Sequence, residues 1–217
     1  MEKLNLNNFK SIICLNGNLP EKSFFKKILE KNIPIIGVDG GAELLYNIGV
    51  NPDFIVGDMD SCQDLSKFPK SKIIIIEDQK YTDFEKAIKF IQSEGIGNSL
   101  VLGINGGEID HVINNVNTFI RYAKEFDMWF YDVPNTGESK LGSIVKNNLE
   151  FSVPKETTIS IFSFDNGKLT TKGMVWEIDS EEFLILDRSG ARNRARLEKV
   201  SISTTGKNLL TIFDHKF

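Results

Sequence analysis

Before residue 135 the apolar positions of this chain change period repeatedly, and each change predicts an element. Ser11 to Gly17 is an apolar run closing on Asn-Gly, the pattern of a buried strand and its turn. Glu21 to Asn32 then places Phe24, Phe25, Ile28 and Leu29 at helical spacing. Ile33 to Asp39 is a second strand running into Gly40-Gly41, and Ala42 to Gly49 is a short helix with Leu44, Leu45 and Ile48 inward. Phe54 to Val56 reads as a third strand, and Lys72 to Glu77, an isoleucine run, as a fourth buried on both faces. Thr82 to Glu85 has the T-x-x-E form of a capping box, after which Phe84, Ala87, Ile88 and Ile91 continue a helix. Ser99 to Ile104 is another strand. Asp110 to Phe126 is a helix with an inner stripe of Val112, Ile113, Val116, Phe119, Ile120 and Ala123, and Met128 to Val133 closes the series.

Strand and helix alternating this often predicts βαβ units, hence an α/β unit with a mainly parallel sheet and helices on both faces. After Asn135 the pattern becomes short alternating segments between polar turns: Ser143 to Val153, Thr157 to Phe164, Lys168 to Ile178, Phe183 to Asp187, and Val200 to Phe213 broken near Gly206. That spacing predicts an antiparallel all-β sandwich. The expected division is residues 1–135 and residues 136–217, with Val133 to Gly137 as the linker.

Composition narrows the functional classes. In 217 residues, 41% hydrophobic content suffices for a core, and a net charge of -4 is spread among interspersed acids and bases. Nothing in that balance calls for a nucleic-acid or membrane partner. Met1 to Lys10 is polar, without the apolar stretch of a signal peptide or span, so a cytoplasmic protein is expected. Cys14 and Cys62 lie far apart outside any C-x-x-C spacing and read as ordinary thiols.

Right-handed crossovers would bring the carboxyl ends of the strands to one edge, where open α/β sheets bind ligands. At those ends stand Asn16 and Gly17, then Asp39, then Asp58 and Asp60, then Asp78 with Asp83 nearby, and finally Gly106-Gly107 followed by Asp110. Asp58 and Asp60, two apart in an extended segment, can face one small hard cation together. Clustered carboxylates repel one another unless neutralised, and magnesium, which takes oxygen ligands and shares them with phosphates, suits such a set. The glycine pairs allow close backbone approach to phosphate, and the helix start at Ala42 favours an anion. No Walker A sequence and no G-x-G-x-x-G is present, so phosphate chemistry would rest on metal and loops. His111 could orient a carboxylate or be structural. Trp176, by residue type alone, reads as a core tryptophan.

Leu15-Asn16-Gly17, Asp39-Gly40-Gly41-Ala42, Gly57-Asp58-x-Asp60-Ser61, Thr82-Asp83-Phe84-Glu85-Lys86-Ala87, Gly106-Gly107-x-x-Asp110-His111 and Thr171-x-Gly173-x-x-Trp176 occur in an order and spacing that resembles thiamin pyrophosphokinase. The resemblance implies an α/β catalytic domain, a β-sandwich, a homodimer, and magnesium-dependent transfer of diphosphate from ATP to the thiamin hydroxyl with release of AMP. Residue by residue, it implies an acidic centre of Asp39, Asp58, Asp60, Asp83 and Asp110, the last four catalytic, with Asp58, Asp60 and Asp83 as metal ligands. It further implies ATP contacts from Asn16, Asp39, Gly40, Gly41, Gln79, Thr82, Lys86, Gly106 and Gly107, and thiamin contacts from Trp176 and Asn193. Glu108 stands where the family has Arg, and Arg192-Asn193 where it has Ser-Asn. Competing readings of the same edge are a diphosphokinase for another hydroxymethyl heterocycle such as a pterin, a D-x-D phosphatase, and a non-catalytic nucleotide- or thiamin-binding module.

Overall fold

The computed structural model describes residues 5–62 and 64–217. The first residues of the polar N-terminal stretch, 1–4, lie outside the described residues. The chain alternates β1 (Ser11–Cys14), α1 (Lys22–Leu29), β2 (Ile35–Val38), α2 (Gly40–Asn47), β3 (Phe54–Gly57), β4 (Lys72–Ile75), α3 (Asp83–Ser93), β5 (Ser99–Leu102), α4 (Ile109–Ala123) and β6 (Met128–Asp132). Eight strands follow: β7 (Lys140–Val145), β8 (Asn148–Ser152), β9 (Thr158–Ser163), β10 (Lys168–Lys172), β11 (Glu181–Glu182), β12 (Gly190–Arg194), β13 (Lys199–Thr204) and β14 (Leu209–Asp214).

β4-β3-β2-β1-β5-β6 are joined in parallel, as the alternation predicts. Strand β1 carries β2 on one side and β5 on the other, so the order reverses there and opens a crevice beyond the strand ends. The fully buried strands β1, β2 and β5 have no polar face because helices cover both sides. Phe24, Phe25 and Ile28 of α1 and Leu45 of α2 pack with Ile12, Cys14 and Ile35 on one face. Phe84, Ile88 and Ile91 of α3 and Phe119 and Ile120 of α4 pack with Ile13, Ile36 and Val101 on the other.

The sheet does not stop at β6. Strand β6 pairs antiparallel with β7, which continues through β14, β9 and β12, giving one sheet of ten strands that crosses the expected 135/136 boundary. Strands β11, β10, β13 and β8 form a second, antiparallel sheet of four. Leu169, Val200, Ile202 and Phe151 of that sheet share an apolar core with Leu141, Ile159, Leu209 and Phe213 of the larger one.

Several expected details change. Strand β4 is the edge of the sheet rather than buried on both faces, and Ile75 is 58% exposed, because no strand follows β3 on that side except β4 itself. Ile113 does not join the inner stripe of α4; it is 64% exposed, in a first half of the helix whose buried residues begin only at Thr118. Ser143 to Val153 is two strands rather than one: the chain turns at Lys146-Asn147 and passes from β7 in the larger sheet to β8 in the smaller one. Phe183 to Asp187 is a turn, and pairing falls instead to β11 and β12, whose polar sequences carry no alternation signal. The predicted helix start at Ala42 moves back to Gly40, because Asp39 takes a positive φ of 44° and turns the chain directly into α2. Among the described residues, no helix is long and apolar enough to cross a membrane. Cys14 and Cys62 are both buried free thiols, and burial pushes both up, Cys14 strongly.

The β6–β7 junction depends on a missing side chain. Phe130 lies opposite Gly142 and packs edge-on against Phe119, with ring centroids 5.1 Å apart, and a Cβ at Gly142 would meet the Phe130 ring at 2.2 Å. Gly142→Ala is expected to destabilise the protein by about 1–3 kcal/mol in urea unfolding, the usual cost of overpacking. Phe130→Leu in the same chain should recover part of that loss; a neutral Gly142→Ala would contradict the contact.

Candidate active site

The crevice beyond the parallel strands is an open cleft of about 480 Å³, and its walls come from the loops after β1 to β5 and from α3 and α4. Glycines let its floor close up. A Cβ at Gly41 would lie 2.2 Å from the Cys14 carbonyl oxygen, and one at Gly40 would lie 2.7 Å from Asn16 Nδ2. The first turn of α2 therefore sits directly on the end of β1 and holds Asn16 at the cleft.

Asp39, Asp58 and Asp60 each present a carboxylate oxygen within 4.8 Å of the others. The turn that brings the last two round passes through Met59 at φ 68°, and the Asp60 amide donates to Asp58 Oδ1 at 3.3 Å. The Ser61 amide donates to Asp39 Oδ1, also at 3.3 Å, and the Ser61 hydroxyl to Asp60 Oδ1 at 2.9 Å. Asp83, the expected third metal ligand, meets this group differently. The ammonium of Lys86 donates to Asp83 Oδ1 and to Asp58 Oδ2, each at 2.9 Å, and Gln79 Nε2 donates to the same Asp58 oxygen at 3.1 Å. Lys86 is only 2% exposed, so its charge is held where its partners are. Such oxygen-only donors match the hard-cation preference of magnesium.

The site polarises its own groups in opposite directions. Burial pushes the Asp39 carboxyl above its ordinary range, and the neighbouring Asp83 and Asp60 charges add to the push against the Ser61 hydrogen bond. Asp58 is held below its ordinary range, first by the Lys86 hydrogen bond, with burial opposing and Gln79 assisting. For Lys86 burial alone would lower the value, but the hydrogen bonds it donates to Asp83 and Asp58 outweigh burial and raise it.

Other expected residues are distributed more widely. Thr82 lines the cleft and is also the N-cap of α3, in a reciprocal capping box with Glu85. Gly107 and His111 line the cleft. Gly106 turns at φ 112° against Asn18, and Asp110 is exposed, its Oδ1 accepting the His111 amide at 2.9 Å within its own helix start. Asp110 thus stands at the rim, outside the converging carboxylates. Trp176 is no core residue: it is 60% exposed on a bend beyond β10, with the Arg194 guanidinium 5.7 Å from its ring centre. Asn193 clamps that bend, accepting from the Trp176 amide at 3.2 Å and donating to the Trp176 carbonyl at 2.7 Å. Neither residue lines the cleft of its own chain. Ser61, the last residue of the Gly57-Asp58-x-Asp60-Ser61 motif, lines it too, as do Asn114 and Asn115, which carried no sequence signal except position, one turn beyond His111.

The raised Asp39 carboxyl has a testable sign. A folded-state value above the unfolded one stabilises at low pH, and that contribution is lost as pH rises through the folded value. Above that folded value the metal-free protein holds Asp39 ionised at a cost in stability. Asp39→Asn, which removes the charge and tolerates the positive φ, is expected to raise the melting midpoint in chelator at pH 7 by about 2–4 °C, the shift for about 1 kcal/mol at this size. It should also blunt the stabilisation given by added magnesium. A lower midpoint in chelator would refute the electrostatic assignment.

The chain is similar to known proteins in sequence and in fold. Residues 25–130 match the thiamin pyrophosphokinase catalytic domain. "Thiamine pyrophosphokinase 1" of Arabidopsis thaliana is 26% identical over 235 residues, covering 93% of this chain and 85% of the relative. The rice protein of the same name is 25% identical, covering 93% and 86%. In fold, the thiamin pyrophosphokinase of Candida albicans superposes with a TM-score of 0.80 at 19% identity, covering 97% of this chain and 90% of that one. The yeast enzyme gives 0.77 at 18%, covering 97% and 88%. The ordered acidic, glycine and Thr-Asp elements, the cleft they build and these likenesses agree: residues 25–130 match the catalytic domain of the thiamin pyrophosphokinases, and the chain as a whole is similar to those proteins in sequence and fold.

Proposed function

We infer that this chain transfers the diphosphate of ATP to the hydroxyl of thiamin, giving thiamin diphosphate and AMP. The observation that carries the reading is the convergence of Asp39, Asp58 and Asp60 beside the buried Lys86 in a cleft formed by the family's catalytic domain. In this transfer the bond from the thiamin hydroxyl oxygen to the β-phosphorus forms as the bond from that phosphorus to the α,β-bridging oxygen breaks. AMP leaves with that electron pair, and the hydroxyl proton is released. Such chemistry needs alignment and charge neutralisation more than a strong base.

The carboxylates Asp39, Asp58, Asp60 and Asp83 outnumber the cleft cations Lys86 and Lys80, so the bare cleft repels a polyphosphate. Magnesium, when bound, supplies the missing positive charge and shields the phosphate oxygens. Asp58 and Asp60 are its proposed ligands. Asp39 is the nearest third carboxylate, and Asp83 acts with them through Lys86. Asn16, Gly40, Gly41, Gln79, Thr82, Gly106 and Gly107 would border the nucleotide, with Thr82 keeping its cap. Asp110 would act from the rim.

Residues 1–135 form the proposed catalytic domain, and residues 136–217 the proposed β-sandwich that presents Trp176 and Asn193 to thiamin. An indole face suits a cationic heteroaromatic ring. Because both residues lie away from the cleft of their own chain, the reading includes a homodimer in which one copy serves the other's cleft. The exposed Ile109, Ile113 and Phe164 form the kind of apolar surface that a subunit contact covers. Neither a nucleic-acid nor a membrane partner is part of the reaction, and a cytoplasmic location accords with its substrates.

Phosphorus NMR of the protein with ATP, magnesium and thiamin should show thiamin diphosphate and AMP appearing together. Asp58→Asn should lower the rate by about 10²–10³, the scale for removing a charge-stabilising group. ADP or free phosphate as product would sink the reading, and transfer to a pterin alcohol in preference to thiamin would move it to another heterocycle. Trp176→Ala should raise KM for thiamin about tenfold, or about 1.4 kcal/mol, with KM for ATP unchanged. Since Trp176 is exposed, the same change should leave stability within about 0.5 kcal/mol; equal effects on both substrates would disprove a thiamin-specific role.

A further inference from the structure

Glu85 lies between the two helices that wall the cleft, and its carboxylate is divided between them. Its Oε2 accepts the Thr82 amide at 3.0 Å and the Thr82 hydroxyl at 3.3 Å, closing the cap of α3. Its Oε1 takes the Arg121 guanidinium of α4 in a short ion pair and the Tyr122 hydroxyl at 3.3 Å. The Glu85 side chain is 8% exposed and that of Arg121 50%, so a buried anion is tied to a cation reaching in from the surface. Burial opposes its ionisation, but the Thr82 amide and Arg121 outweigh burial and hold it below the ordinary range.

Its position gives this pair a consequence beyond packing. Asp83 and Lys86 stand two residues before and one after Glu85 on α3, while His111, Asn114 and Asn115 face the cleft from α4. One carboxylate therefore fixes both the start of α3, which aims Lys86 at Asp58, and the spacing of α3 from α4. Neither Glu85 nor Arg121 lines the cleft.

We propose that the Glu85–Arg121 pair is a positioning device for the transfer, setting the α3–α4 spacing so that Lys86 and Asp83 are registered on Asp58. The proposal rests on the diphosphokinase reading for its kinetic effect alone.

The test compares Arg121→Met, Glu85→Gln, the double variant and Arg121→Lys, at a temperature well below the melting of each. Arg121→Met and Glu85→Gln should each lower kcat about tenfold with KM for ATP and thiamin within about twofold, the signature of misplaced reacting groups. The double variant should be no worse than either single change, because the two act as one unit. Arg121→Lys should recover a large part of the rate. A second readout needs no turnover: Mn²⁺, which shares the oxygen preference of magnesium, is titrated by electron paramagnetic resonance, and its affinity should fall several-fold in Arg121→Met. Lost melting temperature with unchanged kcat and unchanged Mn²⁺ affinity would overturn the proposal and leave a purely structural pair. Losses that add in the double variant would overturn it as well. A wild-type protein that makes no thiamin diphosphate, yet loses Mn²⁺ affinity in Arg121→Met, would refute the functional reading while supporting the positioning role.

Discussion

The site depends on one buried ammonium. Lys86 has almost no contact with water, and what compensates its desolvation is a pair of carboxylates, Asp58 from the loop after β3 and Asp83 from the start of α3. A charge removed from water this completely is tolerated only when its partners are fixed, and removing one partner would leave the other charges uncompensated. Two segments separated by more than twenty residues are thus bound to one point. The cleft's acidic floor can remain assembled without a bound cation because Lys86 takes part of that burden.

Lys86 also explains the division of labour among the acids. Asp58 is stabilised as a carboxylate by direct hydrogen bonds, whereas Asp39, buried without a cation of its own, is pushed toward its neutral form. A set of like groups at one edge is therefore graded rather than uniform. The grading leaves Asp39 as the carboxylate with the most to gain from an arriving cation, and Asp58 as the one already prepared to bind it.

Much of the fold was legible because the α/β half obeys local rules: hydrophobic period marked β1 to β6 and α1 to α4, and the Thr82–Glu85 spacing marked a cap that is present. What failed to show was long-range. Whether the isoleucines of β4 were central or at an edge depended on strand order, which period alone does not encode. Ile113 looks like its neighbours in sequence, but the helix turn it occupies is exposed and burial begins only at Thr118. The polar strands β11 and β12 are held by ladder hydrogen bonds and by Arg188–Glu181 and Arg194–Glu156 pairs, which leave no apolar alternation to read. In the site, D-x-D, Thr-Asp and the glycine pairs were readable as a ligand-binding edge. Asp39 was readable as one of the edge acids; that it, rather than Asp83, would converge on Asp58 and Asp60, and that Lys86 would bridge Asp58 and Asp83, required the packed geometry.

The ten-stranded sheet has a mechanical implication. Strand pairing continues from β4 at one edge, through β6 and β7, to β12 at the other, with one irregularity between Gly190 and Asn193. Two lobes joined by a flexible tether can swing shut over a substrate, but here the catalytic and all-β portions share a continuous, twisted plate. Bending it at β6–β7 would rupture a ladder and unseat Phe130 from Gly142. The mouth of the cleft is instead bordered by segments outside the sheet, Gln79–Thr82 and the exposed first turns of α4.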